Sequence, residues 1–508
     1  MLDQLRAPCA ILVAASAALL AGGCFDTHGL QSDILAGREN RFADWRSEKR
    51  GEVVARPTLS GPLSLNDGVM TALRNSRQIQ IAVLERVKAG ARVEEAWSQA
   101  LPNLDLGAAY TRLDQVPTGT FGGSTIAVGS EDNYALTATL SQPLYRGGSV
   151  SAGVRGARIY SVLVDEQMRG TRQAVIFAAR KAYYDARLAL ELKRASGDAV
   201  SVARRHLEDV DKNVKAGKLA DFDRLRAEVE LKTLIAQNVQ DENRYHIALT
   251  TLLNVLGVSQ ESQIELAEPL HYRPLTPGLE ESVHAAFTQN SDILQAELMI
   301  RLQREAVNVA RAGYYPKMDA FVKATETKPD PHDSTQNSWG NEWSAGLSLT
   351  YHLFDGFKTR SLVREAEAQL KQYEVTLRDA EERTLLQIKQ ATLSIEDASK
   401  EVVAQQANVE EAKEAQRLAE LGFSQGVRLQ VEVLDAQRAL TSAEATFATA
   451  VYNHELARLQ LEQAIGALEE PSEGDLKEPV APPSVLRPAT FDGAGPPGGS
   501  ERGAPDKP

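Results

Sequence analysis

Residues 134–148 read YALTATLSQPLYRGG, and SVSAGVRGARIY carries the chain on to Tyr160. Tyr134, Leu136, Ala138 and Leu140 alternate with Ala135, Thr137, Thr139 and Ser141. A period of two with one apolar face marks a half-buried strand. The glycines that follow open a helix-like run, which is also how a phosphate-binding loop begins. Such a loop needs Gly-Lys-Ser or Gly-Lys-Thr after its glycines, and neither follows here. The counterpart stretch at 351–365, YHLFDGFKTRSLVRE, keeps a single glycine. The shared pattern is strand, Leu, aromatic, polar residue, Gly, helix. Pro143, Gly147 and Gly356 are therefore read as the bend from strand to helix, with Pro143 ending the ladder.

The counterpart belongs to a tandem repeat. Leu65, Ala72, Ile79 and Leu84 reappear 214 positions later as Leu279, Ala286, Ile293 and Leu298. Beyond the alternating segments the offset becomes 209, so that Gly147, Gly217, Leu225 and Gly257 meet Gly356, Gly426, Leu434 and Gly466. The difference falls in polar, Gly- and Pro-containing stretches around 113–133 and 326–342, which read as loops. Each copy runs in one order: a helix (66–99, 280–313), two alternating segments, a very long helix (149–215, 357–421), a glycine turn and a last helix (221–256, 430–465). Val363, Ala366, Leu370, Tyr373, Leu377 and Ala380 form a heptad seam, so the long helices need helical partners. The second alternating pair runs through Met318, Ala320, Val322 and Ala324, then Trp343, Ala345, Leu347 and Leu349.

Bulk properties agree with long helices. Aromatic residues are 6% of 508, which suits coiled coils better than a large aromatic core. A net charge of −13 argues against a nucleic-acid partner. The only cysteines are Cys9 and Cys24, and the eight histidines form no His-x-x-His pair, so neither a disulfide framework nor a metal site is expected. No nucleophile–base constellation and no cofactor motif appears, and an enzyme is not expected. Residues 1–23 read as a signal peptide, and AGGC ending at Cys24 resembles a lipobox whose cysteine is acylated. Phe25 follows where Asp would stand, which suits outer-membrane sorting. The remaining spans are an N-terminal lipid-anchored segment (24–62), the first repeat (63–257), a less periodic linker (258–276), the second repeat (277–466) and a Pro/Gly-rich tail (467–508) expected to be disordered.

Segments of about ten alternating residues have the length of a tilted strand crossing a bilayer. Four strands cannot close a barrel, and open edges are not tolerated in lipid. Either several chains contribute to one barrel, or a small sheet packs on the helices; export of the chain tilts the balance toward the membrane. At LSQPLYRGG, LTYHLFDGF, GKLADFDRLRAEVEL and GVRLQVEVLDAQRAL the sequence resembles the TolC-like outer-membrane efflux protein family, over about residues 60–466.

That resemblance implies a mainly α chain with transmembrane β: a homotrimer whose four strands per protomer build a twelve-stranded β-barrel, continued by a periplasmic α-helical barrel. It implies a passive outer-membrane duct, driven by an inner-membrane pump through a periplasmic adaptor that docks at the Gly217 and Gly426 tips. It implies a periplasmic gate at Asp223, Phe423, Arg428, Glu432 and Asp435, with Glu432 standing where Asp is familiar in the family. Three-fold copies of a carboxylate in a narrow pore would attract cations. A lipid-anchored periplasmic coiled-coil scaffold is the alternative. It has no reason to place paired alternating segments at one point in both copies.

Overall fold

The protein's structure, a computed structural model, describes residues 35–39, 41–43, 57–116, 118–121, 123–127, 129–332 and 337–468. The expected signal peptide, Cys24 and the tail beyond residue 468 lie outside the described residues. Residues 1–59 form one unit, in which 35–39 and 41–43 are helical. The second unit starts at Ser60 and holds both repeats.

The first repeat comprises β1 (Ser60–Leu63), α1 (Leu65–Asn75), α2 (Arg77–Ser98), β2 (Asn103–Arg112), β3 (Thr118–Phe121), β4 (Ser124–Ala127), β5 (Asp132–Arg146), α3 (Ser149–Lys215) and α4 (Asp221–Val255). The second comprises β6 (Gln263–Leu266), α5 (Leu279–Gln289), α6 (Ser291–Arg311), β7 (Lys317–Lys328), β8 (Gly340–Thr350), α7 (Lys358–Ser424) and α8 (Gln430–Ile465). Each of α3 and α7 has 67 residues, roughly 100 Å of helix at 1.5 Å per residue. Among the described residues no helix is apolar enough to cross a membrane.

The helix expected over 66–99 is broken at Ser76, and its counterpart at Asn290. Both residues leave helical geometry, at ψ 121° and 124°. The Ser76 hydroxyl accepts from the Ile79 amide, and the Asn290 side chain accepts from the Asp292 and Ile293 amides. A short polar side chain that satisfies the first free amides of a new helix is a cap. Because the apolar period runs through the break, periodicity did not reveal it.

The core between columns repeats with the sequence. Val69 and Ala72 of α1 are buried on α3, and Ala286 of α5 is buried against α7 with Ile388, Ile395 and Leu461. Ala179, Ala182 and Ala186 of α3 occupy the positions of Ile388, Ala391 and Ile395 in α7, and all six are buried. Small side chains let helical backbones approach closely, and each fully buried Ile or Leu contributes about 1.5–3 kcal/mol.

The segment expected as a linker carries structure that sequence reading missed. Strand β6 pairs in parallel with β1, Ser60 to Leu63 matching Gln263 to Leu266. Tyr183 of α3 pins this pair: its hydroxyl donates to the Leu63 carbonyl and accepts from the Glu268 amide. Four-residue strands give too short an alternation to be read.

The four long strands form one antiparallel sheet in the order β2-β5-β7-β8. The register aligns both repeats: Leu104, Leu140, Val322 and Ala345 form one row, and Asp105, Thr139, Lys323 and Ser344 the next. Alternate rows therefore sort the apolar and polar residues onto opposite faces. Pro143 does not end the ladder, contrary to the sequence reading. It pairs with Asp319, the register shifts between Pro143 and Tyr145, and pairing continues to Arg146 opposite Lys317. A residue without an amide proton is accommodated at an irregularity, after which the ladder resumes.

Candidate functional site: the exposed sheet and the helical tips

Among the described residues, the large side chains on the apolar face of the sheet are exposed. Leu106 is 79% exposed, Trp343 76% and Leu353, just past β8, 89%. Leu104, Leu136, Leu140, Val322, Leu347 and Leu349 are exposed with them. A contiguous apolar patch of this extent marks a lipid or protein contact. The outer strands β2 and β8 each have one unpaired edge within the sheet. Aromatic rings sit at both ends of the strands. Tyr110 and Tyr134 lie 5.1 Å apart at one end, with Trp339 6.1 Å from Tyr134, and Phe354 meets Phe357 edge-on at the other.

The strand-to-helix bends are backbone features. Gly147, Gly148 and Gly356 all have positive φ, and Phe357 joins them at 67°. At Gly147 a Cβ would lie 2.5 Å from the Ala312 carbonyl oxygen, so the junction requires glycine for close approach as well as for φ.

The tips at the far ends of the long helices are two copies of one turn. Gly217 has φ 72° and Gly426 has φ 75°. In both, the residue after the glycine donates back to a carbonyl of the last turn, Lys218 to Asn213 and Val427 to Gly422. This is the glycine-capped helix end. Each following helix is closed by an acidic residue three positions in. The Ala220 amide donates to the Asp223 carboxylate at 3.3 Å, and the Leu429 amide to Glu432 at 3.2 Å.

The structure brings some of the sequence-derived gate residues together and separates others. Arg428 donates to Glu432 at 2.7 Å, an exposed pair. Asp435, also exposed, faces Arg438 of its own helix at 3.4 Å. Asp223 meets the second repeat through its backbone, its carbonyl accepting from the Gln430 side chain at 3.1 Å. Phe423 packs on His206 of α3, with ring centroids 5.3 Å apart. Burial holds the His206 pKa below the usual histidine value, with Asp209 and Glu420 acting in the opposite sense.

Sequence reasoning missed four contributors at the tips. Arg438 forms an ion pair with Glu230 of α4, whose side chain is only 10% exposed. Gln430 and His206 were missed likewise. The repeat held the signal: Arg438 stands where the first copy has Val229, and Glu230 where the second has Ala439. Two complementary charges at positions that are apolar in the sister copy point to a link between copies. Among the described residues no group of three or more His, Cys, Asp or Glu side chains is placed to hold a metal.

A sheet with an open apolar face, carried on paired helical columns about 100 Å long, defines a subunit of an outer-membrane export channel. Residues 69–258 and 283–467 match the outer membrane efflux protein family, and the chain belongs to that family. It is 27% identical to the outer membrane protein TolC of Vibrio cholerae, over 78% of this chain and 90% of that protein. It is 25% identical to the alkaline protease secretion protein AprF of Pseudomonas aeruginosa, over 80% of this chain and 85% of that one. The fold is that of the outer membrane protein VceC of Vibrio cholerae, with a TM-score of 0.69 at 18% identity over 79% of this chain and 96% of that one. The open MtrE channel of Neisseria gonorrhoeae gives a TM-score of 0.66 at 19% identity over 80% and 90%.

Proposed function

We propose that three copies of this chain close their sheets into a twelve-stranded barrel in the outer membrane. The helical columns continue the barrel into the periplasm as an α-helical duct. The observation that carries this reading is the antiparallel four-stranded sheet, with one face of exposed Leu, Val and Trp and an unpaired edge on either side. Lipid accepts such a face, and closure with sister sheets satisfies the edges. Cys24 carries the lipid anchor, and Gly147 and Gly356 redirect the strands into the helices. The duct is passive. An inner-membrane pump drives it through a periplasmic adaptor that meets the Gly217 and Gly426 tips. Asp223, Phe423, Arg428, Glu432 and Asp435 line or brace the periplasmic gate.

The test is reconstitution of the full-length mature protein into planar bilayers. The duct gives unitary conductance steps and a trimer in detergent. A monomeric species that leaves bilayers impermeable rejects it in favour of an anchored scaffold.

A further inference from the structure

A cationic groove lies directly beneath the sheet, on the second repeat alone. Helices α6 and α7 leave furrows on both sides of the layer that they form. One is lined by Arg146 and Lys317 together with Gln303 and Glu365. Lys317 lies on the polar face of the sheet, since it alternates with Met318 and shares its face with Asp319, Phe321 and Lys323. This furrow therefore opens on the polar side. The other, about 670 Å³, is lined by Arg304, Arg311, Arg364, Lys371, Glu367 and Glu374; at 3.6 residues per turn Arg304, Val307 and Arg311 lie across α6 from Gln303, Ala306 and Ala310 of the first furrow, which places this groove on the side of the apolar face. Arg311 ends α6 six residues before β7 begins. Arg364 and Lys371 lie roughly 10 and 20 Å along α7 from its start. The groove thus starts where the strands stop, below the exposed Leu and Trp side chains.

Four cations here face two carboxylates, in a chain whose net charge is −13. Arg311 is paired with Glu367 at 2.7 Å. Arg304, Arg364 and Lys371 are exposed and have no ion pair or side-chain hydrogen bond among the described residues. The first repeat lacks this arrangement. The positions of Arg304, Arg311 and Lys371 are occupied there by Gly90, Trp97 and Val162. The counterpart of Arg364 is Arg155, held by Glu305 through two hydrogen bonds of 2.8 and 3.1 Å. The counterpart of Glu367 is Arg158, which lies over the Trp97 ring at 5.8 Å, so the two guanidinium groups of the first copy are engaged by a carboxylate and by a ring. The second copy presents unpaired cations at the same level.

We propose that this groove seats the phosphodiester headgroup of an anionic phospholipid from the membrane leaflet facing the helices, an inference that rests on the sheet lying in lipid. Three features fit it: the positive excess, the side of the layer that the groove shares with the apolar face, and its start at the strand ends. Basic pockets between helices at a membrane boundary recruit anionic headgroups in this way. Arginine adds bidentate hydrogen bonding to phosphate.

The experiment measures lipid retained by the full-length trimer by native mass spectrometry, after incubation with phosphatidylglycerol or phosphatidylcholine. The variant carries Arg304→Gln, Arg364→Gln and Lys371→Gln, leaving the Arg311–Glu367 pair intact. A control carries Lys389→Gln, Lys400→Gln and Lys413→Gln, three exposed lysines further along α7. Wild type and control should prefer phosphatidylglycerol, and the groove variant should lose about tenfold of that preference. In wild type the preference should fall between about 50 and 500 mM salt as charges are screened. Equal retention of both lipids by wild type, or an unchanged preference in the variant, overturns the proposal. So does complete displacement by inorganic phosphate, which would make the groove a free-anion site. Bilayer conductance of the same preparations separates the two readings. Proteins that insert and conduct without lipid preference refute the groove alone, whereas failure of wild type to insert refutes the membrane reading and this inference with it.

Discussion

The two helical tips share a backbone and differ in what they hold. Both turn on a glycine at positive φ, and both cap the following helix with an acidic residue three positions in. The side chains that donate hydrogen bonds from one repeat to the other at the tips come, among the described residues, from the second. Gln430 reaches the Asp223 carbonyl, and Arg438 reaches the Glu230 carboxylate. In these two bridges the first tip supplies the acceptors. Duplication thus conserved the turn, while substitution on one copy turned two equivalent ends into a donor and a receiver. A movable aperture can be built this way: the backbone turns stay rigid, and a few polar bridges between columns set how far they separate.

The largest effect expected from breaking this asymmetry is at Arg438. Arg438→Ala leaves the nearly buried Glu230 carboxylate without its partner, at a cost of about 1–3 kcal/mol. The resting conductance of the reconstituted trimer should rise, while Val229→Ala, the same position in the first tip, should leave it unchanged. Equal behaviour of the two variants would mean that the bridge restrains nothing.

Next come the turns. A Cβ added at either tip glycine would meet no atom within 4 Å, so only backbone strain opposes a side chain there. Gly217→Ala and Gly426→Ala should each cost about 1 kcal/mol, and by the same amount. Protease sensitivity at the tips reads this, and a response at one tip alone would show that the turns are not equivalent.

Smaller still is the contribution of the exposed carboxylates. Their pairs with Arg428 and Arg438 are worth at most about 1 kcal/mol in stability. Glu432→Ala combined with Asp435→Ala should instead weaken block by a multivalent cation several-fold in single-channel recordings, with Asp223→Ala giving less. Unchanged block would reject the proposed place of Glu432 and Asp435 at the gate.

The long helices and the sheet were legible because their signals are long. Sixty-odd residues of heptad and Ala-rich spacing, and ten-residue alternations placed twice, outweigh local noise. The caps at Ser76 and Asn290 were not legible, because the apolar stripe continues through them. The β1–β6 pair is too short to carry a period. Pro143 was misread because a lone proline in a strand can mark either an end or an irregularity, and only the partner strand decides. At the tips, glycine spacing located the turns. The bridging residues needed a comparison of the copies position by position, where Arg438 against Val229 and Glu230 against Ala439 stand out.

The smallest expected effect tests another contact between the tips, the packing of His206 on Phe423. Burial lowers the His206 pKa, the largest of its influences, while Asp209 on the same helix and Glu420 on α7 partly restore it. The native state therefore refuses a proton that the unfolded chain accepts near its ordinary value of about 6.5. Stability from this residue is complete above that value, declines as the pH falls through it, and levels off below the lowered native pKa. Protonation would also place a cation against the Phe423 ring, between the acidic side chains, which softens the decline. His206→Phe keeps a ring against Phe423 and removes the titration. Thermal unfolding of the variant should lose the part of its pH slope lying just below pH 6.5 and match wild type above it. A slope identical in both proteins would show that His206 is solvated at the tip and that Phe423 has no titrating partner.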